Sequence, residues 1–204
     1  MSFLRSTYSL YTYYAVISVL IFLYATKYPE YNWDVLGYVG SVKSFGISGK
    51  QELLDSVILE AEERIPEANL NELLGRSSPD KYKNLTGKVQ ESELDSVSDY
   101  RRIVSSDPEA FYQQLPFYKI RILYVGLAAM LGKAGINTVT ALPLISALSV
   151  IAGLWLLMFG FRLYVNTYLL YSVPLFGQAL GFHDIAKLGS ADSMAFLSVV
   201  LTAY

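Results

Sequence analysis

Asp34 stands in Tyr31-Asn-Trp-Asp-Val-Leu-Gly-Tyr-Val-Gly40, a carboxylate set among aromatic side chains eight residues after a long neutral run ends. Partial burial beside aromatic rings raises a carboxyl group's pKa and suits it to accept a proton from a hydroxyl, as general-base catalysis requires. An acid near a helix start can equally cap that helix or lie in a solvated loop, so for Asp34 these readings stand side by side. Pro116-Phe-Tyr-Lys-Ile-Arg-Ile-Leu-Tyr124 places two cations, Lys119 and Arg121, just ahead of a neutral stretch. Such a pair can bind a lipid phosphate, or can simply snorkel to the headgroups. Asp192, in Lys187-Leu-Gly-Ser-Ala-Asp-Ser193, opens a further apolar run, where the helix dipole favours an acid and capping is the plain alternative. His183 and Asp184 read as the close of a preceding helix, because a lone histidine is weak support for a site.

Several chemistries are excluded by composition. The chain has no cysteine and one histidine, which removes disulfides, thiolate nucleophiles, the common zinc patterns and histidine-rich metal sites. No basic stripe exists, and the one large polar segment would repel phosphates, so nucleic acid is not an expected partner. Asn84-Leu-Thr86 matches the glycosylation sequon, a pattern too short to carry weight alone.

The elements that must position these residues follow from charge. The hydrophobic fraction of 53% is too high for an ordinary soluble chain of 204 residues, and the surplus needs lipid around it. Sixteen of the eighteen acids and ten of the sixteen bases fall between Lys27 and Leu115, a net charge of −6 in that window. Ser6 to Thr26 carries no charge and, as a helix about 30 Å long, crosses the hydrocarbon core. It lacks a small-x-small cleavage site before Lys27, which favours a transmembrane helix over a signal peptide. Ile122 to Gly132 is neutral for only eleven residues, so residues 116–133 are expected as a short interfacial or re-entrant helix. Residues 134–182 are expected as a transmembrane hairpin, with spans Ala134 to Phe161 and Leu163 to Phe182 turning at Arg162 and a tolerated kink at Pro174. Residues 183–192 then form a polar connector, and 193–204 begin a helix too short to span, which suggests the N-terminal part of a larger protein.

The fold class expected is an all-α, polytopic membrane helix bundle with an extracytoplasmic helical domain over residues 27–115. Arg5 and Arg162 place the N-terminus and the hairpin turn in the cytoplasm by the positive-inside rule, in a plasma or inner membrane. Within the outer domain, Gln51 to Arg64 has apolar residues at 53, 54, 57, 58 and 61, the spacing of an amphipathic helix closed by Pro66. Arg76 to Tyr100 reads as a mobile loop, being poor in apolar residues. Ser106-Asp107-Pro108-Glu109 reads as a helix start, with Pro108 in the first helical position.

The order of these parts resembles the N-terminal module of the GT-C superfamily of glycosyltransferases that use polyprenyl-phosphate sugars, and the likeness covers nearly the whole chain. Trp33-Asp-Val-Leu-Gly-Tyr38 takes the place of the family's first acidic outer loop; Phe117-Tyr-Lys-Ile-Arg-Ile-Leu-Tyr124 looks like its basic, Leu-Tyr lead-in to a short helix, with Val125 where a proline is frequent. Leu188-Gly-Ser-Ala-Asp192 is similar to its second acidic loop, again without the proline. The resemblance implies inverting transfer of a sugar from a lipid-linked donor to an acceptor on the extracytoplasmic side. Asp34 would be the base or a metal ligand, with Lys119, Arg121 and Tyr124 at the donor phosphate. Asp192 would orient the acceptor or share magnesium or manganese with Asp34. The rival reading is a non-catalytic membrane subunit or polymer-export component that binds partners through its acidic domain.

Overall fold

The computed structural model describes residues 7–76 and 91–203, and these are all-helical, with no strand among the described residues. Two helices are long and apolar enough to cross a membrane: α1 (Thr7–Lys27) and α8 (Thr138–Phe161). Both are apolar around their whole circumference, the pattern of a helix without a solvent face. The chain divides into two compact units, one of Tyr31–Val139 and one of the residues up to Glu30 together with those from Thr140 onward.

The unit of Tyr31–Val139 holds α2 (Trp33–Lys43), α3 (Lys50–Glu62), α4 (Glu67–Leu73), α5 (Glu91–Ser106), α6 (Pro108–Lys119) and α7 (Ile122–Lys133). Helix α3 buries Leu53, Leu54, Val57 and Ala61, the stripe its spacing requires, and Pro66 caps α4 immediately after it. Asp107 accepts a hydrogen bond from the Glu109 backbone N–H at 2.9 Å and Pro108 occupies the first turn, so α6 starts where its sequence signals it. Helix α5 corrects the end of the expected loop: residues 91–100 are helical, and the helix runs on to bury Val104 and Ser105 beyond the loop's expected end. The rest of that loop, including the Asn84 sequon, lies outside the described residues. Arg121 leaves helical geometry at φ −86°, ψ 57°, and there the chain bends by 109° between α6 and α7. Counted together, this bent pair would be a third span; α7 alone, at 12 residues, is too short. Ile122, Leu123 and Met130 on α7 are left 78%, 62% and 67% exposed, an apolar face suited to lipid.

In the other unit, α1 and α8 pack through Leu10, Tyr14, Ala25, Ala147, Val150 and Leu154, and the Trp155 indole donates to the Ser18 hydroxyl at 2.9 Å. The expected second arm of the hairpin, Leu163 to Phe182, is not one helix. It folds as α9 (Thr167–Leu170) and α10 (Val173–Ala179), neither long enough to span. Three local features break it. Asn166 accepts from the Tyr168 N–H at 3.1 Å and so restarts the helix; Pro174 brings no N–H to the first turn of α10; Gly181 ends α10 in the left-handed region at φ 79°. The carbonyls freed by the break find tyrosines of α1: the hydroxyl of Tyr14 donates to Leu170 O at 2.8 Å and that of Tyr13 to Tyr171 O at 3.1 Å. Broken backbone is tolerated in an apolar setting where protein groups satisfy it in this way.

The polar connector is also structured. Helix α11 (Phe182–Lys187) forms its first half, and Lys187 pairs with Glu30 at 3.0 Å and Asp184 at 3.1 Å, while the Glu30 backbone N–H donates to Lys187 O at 3.1 Å. Both carboxylates hold the Lys187 ammonium above its ordinary pKa, through direct hydrogen bonds. The last apolar run forms α12 (Asp192–Ala203).

Candidate functional site

Asp34 lies in the first turn of α2, where the helix dipole favours a negative charge. Its Oδ1 accepts a hydrogen bond at 3.2 Å from the hydroxyl of Tyr118, on the facing side of α6. Tyr118 is 7% exposed, and burial raises its pKa, with the Asp34 charge and hydrogen bond pushing the same way. The phenol therefore stays protonated and serves as a donor, which leaves Oδ2 of Asp34 for another group.

This contact exists because α2 and α6 approach closely. Gly37 and Gly40 lie one turn apart on α2, and a Cβ at Gly37 would fall 2.2 Å from the Tyr118 ring; one at Gly40 would fall 2.8 Å from Phe111. Glycine is required at both positions by proximity rather than by backbone angle. From Tyr118 an aromatic chain continues to Tyr38 at 5.1 Å between ring centroids and on to Tyr124 at 4.9 Å, both edge-to-face.

The cations flank this cluster. Arg121 places its guanidinium 5.8 Å from the Tyr38 ring centroid and its Nη1 donates to Phe117 O at 3.3 Å, with the side chain otherwise exposed. Lys119 lies 5.9 Å over the ring of Tyr112, two turns back on the same helix. Asp34 and Arg121 are therefore linked through Tyr118 and Tyr38, whereas Lys119 rests on a separate ring. Tyr124 is 1% exposed and packs in the core of this unit, which gives it a supporting place behind Tyr38. Asp192 belongs to the other unit, is exposed, and its Oδ2 accepts from the Ser190 hydroxyl at 2.9 Å at the start of α12. His183 pairs with Asp184 at 3.2 Å and its ring lies 6.1 Å from that of Tyr24.

Among the described residues, no group of three His, Asp or Glu side chains converges as a metal site would need. Around Asp34 the donor set is one carboxylate already holding a tyrosine hydroxyl, which does not by itself make a site for a hard cation.

Two residues that the sequence does not single out stand beside Asp34. The Trp33 indole donates to Gln114 Oε1 at 3.3 Å, and Gln114 sits on α6 one turn before Tyr118. The signal that points to them is the Gly37 and Gly40 pair, which calls for large side chains on whichever helix faces α2.

Fold and site together define the class: an all-helical protein with two helices fit to cross a membrane and a polar helical unit carrying a carboxylate held by a buried tyrosine. Comparison with protein-family models, curated proteins and solved structures finds no match to this chain.

Proposed function

We propose that this chain is a membrane glycosyltransferase, or the N-terminal portion of one, that moves a sugar from a polyprenyl-phosphate donor to an acceptor hydroxyl outside the cytoplasm. The observation that carries the reading is the Asp34 carboxylate, oriented through Oδ1 by Tyr118 and linked by the edge-to-face Tyr118–Tyr38 pair to the exposed cation Arg121. In this reading Oδ2 of Asp34 takes the acceptor's proton as its oxygen attacks the anomeric carbon. The bond from that carbon to the phosphate oxygen breaks, and the electron pair leaves with the polyprenyl phosphate. Arg121 and Lys119 offset the charge that gathers there, an interaction strengthened where water is partly excluded. Attack from the face opposite the phosphate inverts the anomeric centre.

Two alternatives are tested alongside. Arg121 and Lys119 both rest on tyrosine rings, as structural cations do, which favours the reading of a non-catalytic subunit or polymer-export component binding through its acidic segment. No step is assigned to magnesium or manganese, and EDTA titration of the transfer assay tests the metal option. The deciding experiment measures transfer of labelled sugar from a polyprenyl-phosphate donor by membranes carrying the chain or its Asp34→Asn variant. Loss of transfer with normal membrane insertion supports the proposal, and unchanged transfer refutes it.

A further inference from the structure

The start of α2 contains two polar atoms that break ordinary accounting. Asn32 is the N-cap of α2, a position where an asparagine side chain normally accepts from the first turn, yet it makes no such bond and its Oδ1 is buried without a partner. Gln114 is 7% exposed and its Nε2 is likewise buried without a partner. Its orientation is not arbitrary, because Oε1 is taken by the Trp33 indole N–H, which leaves Nε2 as the unused end. A buried donor or acceptor without a partner is costly and calls for an explanation, and these two lie on either side of Trp33, one its chain neighbour and the other its hydrogen-bond partner.

We infer that Asn32 and Gln114, with Trp33 between them, form a subsite beside Asp34 that binds a neutral polyhydroxylated ligand, a sugar or polyol. This rests on the reading of Asp34 as the group that meets an acceptor hydroxyl. A hydroxyl both donates and accepts, so a ligand carrying several of them can complete a lone amide oxygen and a lone amide N–H, and the half-buried indole offers the apolar face of a sugar a surface. An anion is disfavoured here because Asp34 is the nearest charge on α2 and Lys119 and Arg121 lie against other rings. The two atoms are closed off from solvent, and Trp33 also meets the ring of the 52% exposed Tyr100 edge-on at 6.2 Å. Because its indole N–H is bonded to Gln114, Trp33 reports a ligand that engages that amide.

The test is tryptophan emission from the full chain in detergent, titrated separately with glucose, galactose, mannose and inorganic phosphate. At least one neutral sugar should give a saturable change that phosphate does not give. Trp33→Phe should remove it, since Trp155 is the other tryptophan of the chain. Gln114→Met and Gln114→Glu, the second of which keeps an oxygen toward the indole, should each weaken apparent affinity by about tenfold or more. Asp34→Asn should leave the response in place while abolishing transfer. No saturable response to any of the sugars, or wild-type affinity in both folded Gln114 variants, overturns the subsite. A Gln114-dependent response together with undiminished transfer by Asp34→Asn supports the subsite and refutes the assignment of Asp34 as base.

Discussion

Gly37→Ala is the sharpest perturbation of the candidate site, because it touches Asp34 only through Tyr118. The added methyl would meet the Tyr118 ring at 2.2 Å, so ring or helix must yield by about 1.2 Å to reach the 3.4 Å at which ordinary contact begins. The Tyr118 hydroxyl is already 3.2 Å from Asp34 Oδ1, and a shift of that size takes it past any useful hydrogen bond. Overpacking of this kind costs about 1–3 kcal/mol, and a lost hydrogen bond to a charged group adds roughly 1.5–3 kcal/mol where the groups are desolvated. Asp34 is only partly buried, which brings the hydrogen bond's share down to about 1 kcal/mol and the total to about 2–4 kcal/mol. The assay is denaturant unfolding in mild detergent, followed by sugar transfer at matched folded protein. Gly126→Ala is the control, since no atom lies within 4 Å of its added methyl, and it should be neutral or stabilising by up to about 1 kcal/mol. If Gly37→Ala unfolds at the same denaturant concentration as wild type, the close approach of α2 and α6 is refuted, and with it the account of how Asp34 is held.

Other expectations follow from separate contacts. Tyr118→Phe keeps the ring in its pocket and removes the donor to Asp34, so transfer should fall about 10-fold or more with stability changed by about 1 kcal/mol; equal activity would show that Asp34 needs no such support. Arg121→Ala should raise the donor concentration needed for half-maximal transfer while unfolding shifts by no more than about 1 kcal/mol, the worth of an exposed cation on an aromatic ring. A loss of expression alone would favour the snorkelling reading. Tyr14→Phe strands the Leu170 carbonyl and should cost about 1–2 kcal/mol in unfolding, whereas Tyr8→Phe, at an 83% exposed ring, should cost less than about 0.5 kcal/mol.

Much of the helix inventory was legible because it depends on nearest neighbours in sequence. The charge-free runs that become α1 and α8, the apolar spacing of α3 and the Asp107-Pro108 start of α6 are all local signals. The break after Arg162 was not legible by hydropathy, since Leu163 to Phe182 is apolar enough to span. What stops it is capping by Asn166 and the left-handed Gly181, together with partners on α1 about 155 residues away. For the site, Asp34 was legible from its aromatic setting and Arg121 from its place before a short apolar helix. Tyr118 and Gln114 were not, because their roles exist only when α6 meets α2. Tyr124 shows the converse: a motif position that looks accessible in sequence becomes core once Tyr38 packs on it.

The tyrosine hydroxyls of α1 carry a consequence for biogenesis. The bonds of Tyr13 and Tyr14 each span a distance in sequence that the emerging chain must wait to close, so if α1 crosses a membrane, as its length and apolarity allow, it enters holding polar groups whose acceptors have not yet been made. Conversely, residues 163–182 carry two open carbonyls, of Leu170 and Tyr171, that take their hydrogen bonds from α1. The late segment is thus a client of the first helix rather than an autonomous insertion unit. Fused alone behind an unrelated anchor, it should be retained poorly in the lipid phase, and supplying α1 on the same polypeptide should restore it.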